Sequence, residues 1–225
     1  MSHLATIVSI QVGRPQAYEY GDAADGRSRS WKTAFFKSPV TGSVRVGRLG
    51  LVGDEQADRE NHGGVDKAVL AYSADHYAAW RAHLNLPNMP LGGFGENLSL
   101  AGIDESSVCI GDCWQAGDVL FEVTQPRQPC WKMSRRWQIP DLAAQVIANG
   151  QSGWYLRVLS GGEIAADTPL SVVARPHADW TVARAGRVMH HEKQNLAAAA
   201  ELAALPELSA TWKQTLQERI ARRAL

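Results

Sequence analysis

Eight short apolar segments, separated by glycine, proline and aspartate, punctuate the chain as far as residue 174. They cover residues 5–12, 43–46, 68–72, 97–100, 106–110, 119–124, 154–159 and 170–174. Segments 5–12 and 119–124 place β-branched residues at the two-residue period of a half-buried strand. Many short strands with turn signals between them predict a mainly β fold, closed or nearly closed into a barrel. Helices are expected in two places. Ser73 is a candidate N-cap for a helix carrying Tyr77, Trp80 and Leu84, and a second helix is expected over 141–147. Residues 13–30 and 85–95 read as loops. No apolar run approaches the ~20 residues that a membrane span requires. The N-terminus alternates like a strand and lacks a basic region or cleavage pattern, so no signal peptide is expected and the cytoplasm is the expected compartment.

The pattern changes after Arg175–Pro176. Asp179 or Thr181 can start a helix running to Met189. Asn195 can cap residues 196–205 ahead of Pro206, and Ser209 can cap residues 210–225. Trp212, Leu216, Ile220 and Ala224 repeat every four residues along that last stretch. A barrel domain over 1–174 and a small three-helix domain over 175–225 are therefore expected. The chain has 23 Lys+Arg against 23 Asp+Glu, so it is neutral overall. The helical segment carries a surplus of three positive charges and the barrel the matching deficit. Such a balance argues against broad nucleic-acid or membrane-surface binding.

Three cysteines among 225 residues are too few for a secreted disulfide framework and suit a reducing compartment. Cys130 stands apart within QPRQPCWK, residues 125–132. Pro126 and Pro129 stiffen the loop and present the thiol in a defined direction. Arg127 and Lys132 flank it, and neighbouring cations favour the thiolate, which is the form that attacks or binds a soft metal. The competing reading is a small buried hydrophobe. Cys109 and Cys113 have no second pair to complete a zinc site and read as strand residues.

Residues 53–72, GDEQADRENHGGVDKAVLAY, run from polar to strand-like through Gly63–Gly64. His62 beside two glycines would permit close backbone approach to a ligand. Lys67 and Arg59 are candidates for an anionic group, with a solvated turn as the alternative. Residues 92–98, GGFGENL, lack both the spacing and the following helix of a dinucleotide site. No Walker, nucleophile-elbow or HExxH pattern is present. His190–His191 read as solvated. Arg219, Arg222 and Arg223 read as a solvated or carbonyl-capping helix end.

Four segments together resemble the MOSC family, named for the molybdenum-cofactor sulfurase C-terminal domain: 50–72, FGENLSL (94–100), IGDCWQAG (110–117) and QPRQPCWK. The tail is similar to the three-helix domain of the stand-alone YiiM-type branch. The resemblance implies a MOSC-type β-barrel that binds the molybdenum cofactor, a pterin dithiolene bearing a phosphate. It also implies that Cys130 is the catalytic thiolate and molybdenum ligand. The branch reduces N-hydroxylated bases such as 6-N-hydroxylaminopurine to the amine. Arg127, Lys132, Lys67, His62 and Asn97 are available for the cofactor's phosphate and polar edge, with Arg59 and Lys37 behind them. Trp131 or Trp154 could stack on a flat base. With no dinucleotide fingerprint and no iron–sulfur cysteine array, the chain is expected to take electrons from a separate flavin reductase, and the basic tail is a candidate docking face. Two other functions fit the same thiol: a sulfur carrier holding a Cys130 persulfide, and a cofactor carrier without turnover.

Overall fold

Alternating burial along the strands closes the sheet. In the computed structural model, which describes residues 3–20 and 29–223, thirteen strands and seven α-helices follow one another. The first group is β1 (His3–Val12), β2 (Gln16–Tyr20), β3 (Arg29–Thr33), β4 (Ser38–Pro39), β5 (Val44–Gly47) and β6 (Gly50–Leu51). Next come α1 (Arg59–His62), β7 (Val69–Ser73), α2 (Tyr77–His83), β8 (Leu98–Ala101), β9 (Cys113–Ala116) and β10 (Val119–Pro126). Then α3 (Trp131–Trp137), α4 (Leu142–Asn149), β11 (Trp154–Ser160), β12 (Gly162–Ile164) and β13 (Pro169–Ala174) lead into α5 (Val182–His190), α6 (Leu196–Ala204) and α7 (Ala210–Ala221).

Seven strands form a closed ring in the order β1–β13–β9–β10–β11–β7–β8 and back to β1, with β4 added to the outside of β1. All neighbours in the ring are antiparallel except β7 and β8. Closure leaves no long free edge. Strands β12, β5 and β6 make a small separate sheet, and β2 pairs with β3 as a hairpin. Inward residues Ile7, Leu100, Trp114, Phe121, Val123, Trp154 and Leu156 are fully buried and fill the ring.

The three C-terminal helices share this core. Val188, Leu202, Trp212 and Leu216 belong to one apolar cluster with the barrel residues. Their start signals act where the sequence places them. Thr181 accepts from the Arg184 amide, Asn195 from Ala198 and Ser209 from Trp212. A second apolar cluster, with Phe35, Tyr72, Tyr77, Trp80, Phe94 and Met133, lies under α2, α3 and α4.

Several expectations need correction. Residues 106–110 form turns and one isolated bridge, not a strand. Asp104 takes the Ser106 amide and Asp112 takes the Cys109 amide, so side chains satisfy the backbone locally. The stretch 13–30 holds strand β2 and the start of β3, while its residues 21–28 lie outside the described ones. Ser73 closes β7 and makes no capping bond, because a 3₁₀ turn separates it from α2. The last helix ends at Ala221. His190 is not solvated: its ring lies edge-on to Trp212, 6.4 Å away, and its Nε2 is buried without a partner. Arg219 caps carbonyls, but those of Val188 and Met189 in α5, at 2.8 Å each. Trp154 is core, packed edge-on against Trp114 at 6.1 Å, and cannot stack on a ligand.

Candidate functional site

Cys130 ends the four-residue connection from β10 to α3 and stands in extended backbone at the head of that helix, half-buried. Strand β10 delivers Pro126, and the Arg127 amide bonds to the Gly153 carbonyl at 2.9 Å, which pins the loop to the strand beside it. Gly153 must be glycine there. Its φ is +75°, and a Cβ would lie 2.5 Å from the Ala71 carbonyl oxygen.

A cleft opens beside the thiol. All six residues singled out from the sequence line it: Cys130, Arg127, Lys132, Lys67, His62 and Asn97. Lys37 lines it too. The Arg59 side chain lies outside the described residues. Four cationic side chains and two carboxylates, Asp54 and Glu55, line this space. Arg127 is 4% exposed, and its Nη1 is buried with no hydrogen-bond partner. Its guanidinium lies 5.8 Å from the centre of the Phe35 ring. Lys132 is also buried, with its Nζ 3.4 Å from His62 Nδ1. That same Nδ1 is 3.3 Å from Asp58 Oδ2. One tautomer can accept from Lys132 and the other can donate to Asp58, but neither does both. Burial, then Lys132, push the His62 imidazole below its ordinary pKa.

Helix α1 sets His62 in place. Asp58 accepts the Asn61 amide at its start, and the amides of Asn61 hold the Asp58 carboxyl down to about 2. Gly64 then turns the chain with φ +95°, although no atom lies within 4 Å of where its Cβ would be. The positive φ favours glycine at this turn. Lys67 Nζ donates to the Asn61 carbonyl at 2.9 Å, and burial lowers its pKa.

Asn97 has structural bonds as well as a place on the wall. Its Oδ1 accepts the Leu70 amide at 3.0 Å and its Nδ2 donates to the Gln11 carbonyl at 3.2 Å. The preceding glycine-rich turn is not an anion cradle. The amides of Gly92 and Phe94 go to the buried Glu96 carboxylate, and that of Gly93 goes to the Tyr77 hydroxyl. Gly95 donates to the Gly92 carbonyl.

Phe35, Tyr155 and the pairing of the weaker candidate Lys37 with Asp54 were not read from the sequence. Lys37 forms a buried ion pair with Asp54, whose Oδ1 also takes the Gly13 amide at 2.8 Å. Burial lowers the Lys37 pKa against the pull of Asp54. Phe35 forms part of one wall. Tyr155 is 9% exposed, and burial raises the pKa of its phenol, so the hydroxyl keeps its proton. Cys109 is buried in the bridge to Thr181, and Cys113 begins β9, both away from this cleft. Burial raises both of these thiols.

The MOSC domain pattern matches residues 58–171, and a YiiM-like, three-α-helix domain pattern matches 180–223. The chain belongs to the MOSC-domain family. Within it, YflK of Bacillus subtilis is 35% identical over 95% of this chain and 94% of its own. YiiM of Escherichia coli is 35% identical over 94% of this chain and 91% of its own. A protein of Gibberella moniliformis named a reductase is 38% identical over 77% of this chain, which is 31% of that protein. The crystal structure of YiiM from Geobacillus stearothermophilus superposes with a TM-score of 0.80 at 36% identity, covering 96% of this chain and 99% of that one. The MOSC match spans the cleft-lining residues from His62 to Tyr155. Among the described residues no helix is long and apolar enough to cross a membrane.

Proposed function

We propose that the chain is a molybdenum-cofactor-dependent reductase of N-hydroxylated bases, with Cys130 as the protein ligand to molybdenum. The observation that carries the reading is the buried, unpartnered Nη1 of Arg127 beside a half-buried thiol. A buried donor without an acceptor is costly unless a ligand supplies one. With Lys37, Lys67 and Lys132 on the same walls, that ligand is an anion. A pterin dithiolene with a phosphate fits the donor set, because a thiolate suits a soft metal and cations suit the phosphate. The MOSC family is associated with this cofactor, and a relative bears the name reductase.

In this reading Cys130 holds the metal, and Arg127, Lys132 and Lys67 hold the anionic and polar edges. Asn97 and His62 complete the walls. The bound group supplies the redox chemistry for breaking an N–O bond. The overall change is R–NHOH plus two electrons and two protons to R–NH2 and water, and a separate flavin reductase supplies the electrons. The chain's own part is to shut the polar edges away from water and to hold protons. Tyr155 keeps its hydroxyl proton, and His62 is neutral with one ring proton to share. A persulfide carrier needs an accessible thiol but would leave the buried Arg127 uncompensated, which favours the cofactor reading.

The test is elemental analysis of protein made in a cofactor-competent host. Near one molybdenum per chain is expected in the wild type and in Cys109→Ser and Cys113→Ser, with loss in Cys130→Ala. Full molybdenum in Cys130→Ala would remove Cys130 as the anchor. Loaded wild type that never converts 6-N-hydroxylaminopurine to adenine with a chemical reductant would remove the reductase activity.

A further inference from the structure

Cys130 stands between two cavities. Both are lined by His62, Lys67, Cys130 and Tyr155, but they differ beyond that shared wall. The first adds Lys37, Arg127 and Lys132. The second adds Asp58, Gln128, Pro129 and Trp131 instead. The second is therefore not built for an anion: Lys67 is the one lysine or arginine on its lining, and the Asp58 carboxylate acts on it.

Trp131 is the unusual member of this wall. It is 55% exposed, whereas Trp31, Trp80, Trp114, Trp154, Trp180 and Trp212 are all buried. An exposed indole on a surface would ordinarily be free to swing. This one is braced by the Trp31 ring at 5.1 Å and by the Arg135 guanidinium at 5.5 Å. A large flat ring braced in this way beside the Cys130 thiol is a stacking platform, because little further ordering is needed when a ligand lands on it. The polar members suit a heteroaromatic edge. The Asp58 carboxylate accepts hydrogen bonds from exocyclic N–H groups. The Gln128 amide is exposed and offers both a donor and an acceptor.

We infer that this second cavity is the substrate subsite: a neutral, planar nitrogen heterocycle of nucleobase size stacks on Trp131, with its reacting edge turned toward Cys130. The inference rests on the reductase reading for what the bound ring undergoes, but the binding itself is independent of turnover. Selectivity then comes from Trp131, and Lys37, Arg127 and Lys132, which line only the first cavity, have no part in it.

The test is calorimetric titration of adenine, the expected product, into protein purified from a cofactor-competent host. Wild type is expected to bind, with affinity about tenfold weaker in Trp131→Ala and only slightly weaker in Trp131→Phe. The thermal unfolding midpoint, which reports the integrity of the fold whether or not the first cavity is filled, is expected to be about the same in all three. Equal adenine affinity in wild type and Trp131→Ala overturns the subsite, as does a wild type that binds no adenine. A much lower midpoint together with lost adenine binding in Trp131→Ala also overturns it, since the ring would then be supporting the fold. Failure to reduce 6-N-hydroxylaminopurine, with adenine binding intact and dependent on Trp131, removes the reductase reading and leaves the subsite standing.

Discussion

Arg127 costs the empty fold stability, and in the proposed function a bound anion offsets that cost. Its guanidinium is buried with Nη1 unpartnered, and the Phe35 ring offsets only part of the lost hydration. Replacing it with Met keeps the length and removes the unmet donor. Arg127→Met is therefore expected to raise the thermal midpoint of the cofactor-free protein by about 2–4 °C, the shift that ~1 kcal/mol gives at this size. Sulfate or phosphate binding should fall sharply in the same variant, and calorimetry reads both effects. A lower midpoint would mean that Arg127 serves the fold. At this scale the sequence reveals residues whose meaning is local. Cys130 is legible because its prolines and cations sit beside it. The Lys37–Asp54 pair is not, since 17 residues separate its members and only the fold joins them. Tyr155 reads as one more strand aromatic, and nothing in its neighbours shows that it faces a cleft. Trp154 misleads for a related reason. The glycine before it suggests an open approach, but Gly153 is there to let two backbones touch.

Elements were legible where one residue starts them. The caps Thr181, Asn195 and Ser209 could be read because a side-chain oxygen three residues ahead of an amide is a sequence-local device. Strands β4, β6 and β12 were not, since such short pieces have too few residues for a period to emerge, and the hairpin β2–β3 fell largely in a stretch read as loop. Helix α3 was hidden by the prolines that precede it. The caps also differ in what they hold. Ser209 is fully buried and donates to Gln125 Oε1 at 2.6 Å, on the strand that runs into the Cys130 loop. Asn195 is exposed. Ser209→Ala is expected to lose a cap and leave a buried acceptor short of its donor, for a cost of about 2 kcal/mol. Asn195→Ala should cost about 1 kcal/mol or less. Urea unfolding of the two variants checks the order, and equal losses would show that the bond to Gln125 contributes nothing.

At the scale of the whole molecule, barrel and tail share one apolar core and are expected to unfold together, because Val188, Leu202, Trp212 and Leu216 lie in the same cluster as Trp114 and Trp154. The change of pattern after Arg175 revealed that helices follow strands, but periodicity cannot reveal which surface they cover. One core has a consequence for acid stability. Burial lowers the His190 pKa below its ordinary value, helped by His191, Lys193 and Arg219. His62 is lowered as well. Below about pH 6.5 the unfolded chain takes up protons that these two folded imidazoles refuse, so the unfolded state binds more protons and gains. The stabilisation is complete above that pH and is lost as pH falls toward the folded values. Asp58, held down to about 2, does not titrate in this window. Stability is therefore expected to drop between pH 7.5 and 5.0, and the drop should shrink, without vanishing, in His190→Gln, where His62 still acts. Near-ultraviolet signals from the barrel tryptophans and far-ultraviolet signals from the helices should move in one transition at both pH values. An unchanged drop in His190→Gln would exclude that imidazole as a source, and separate transitions would show that the helices come away from a barrel that stands without them.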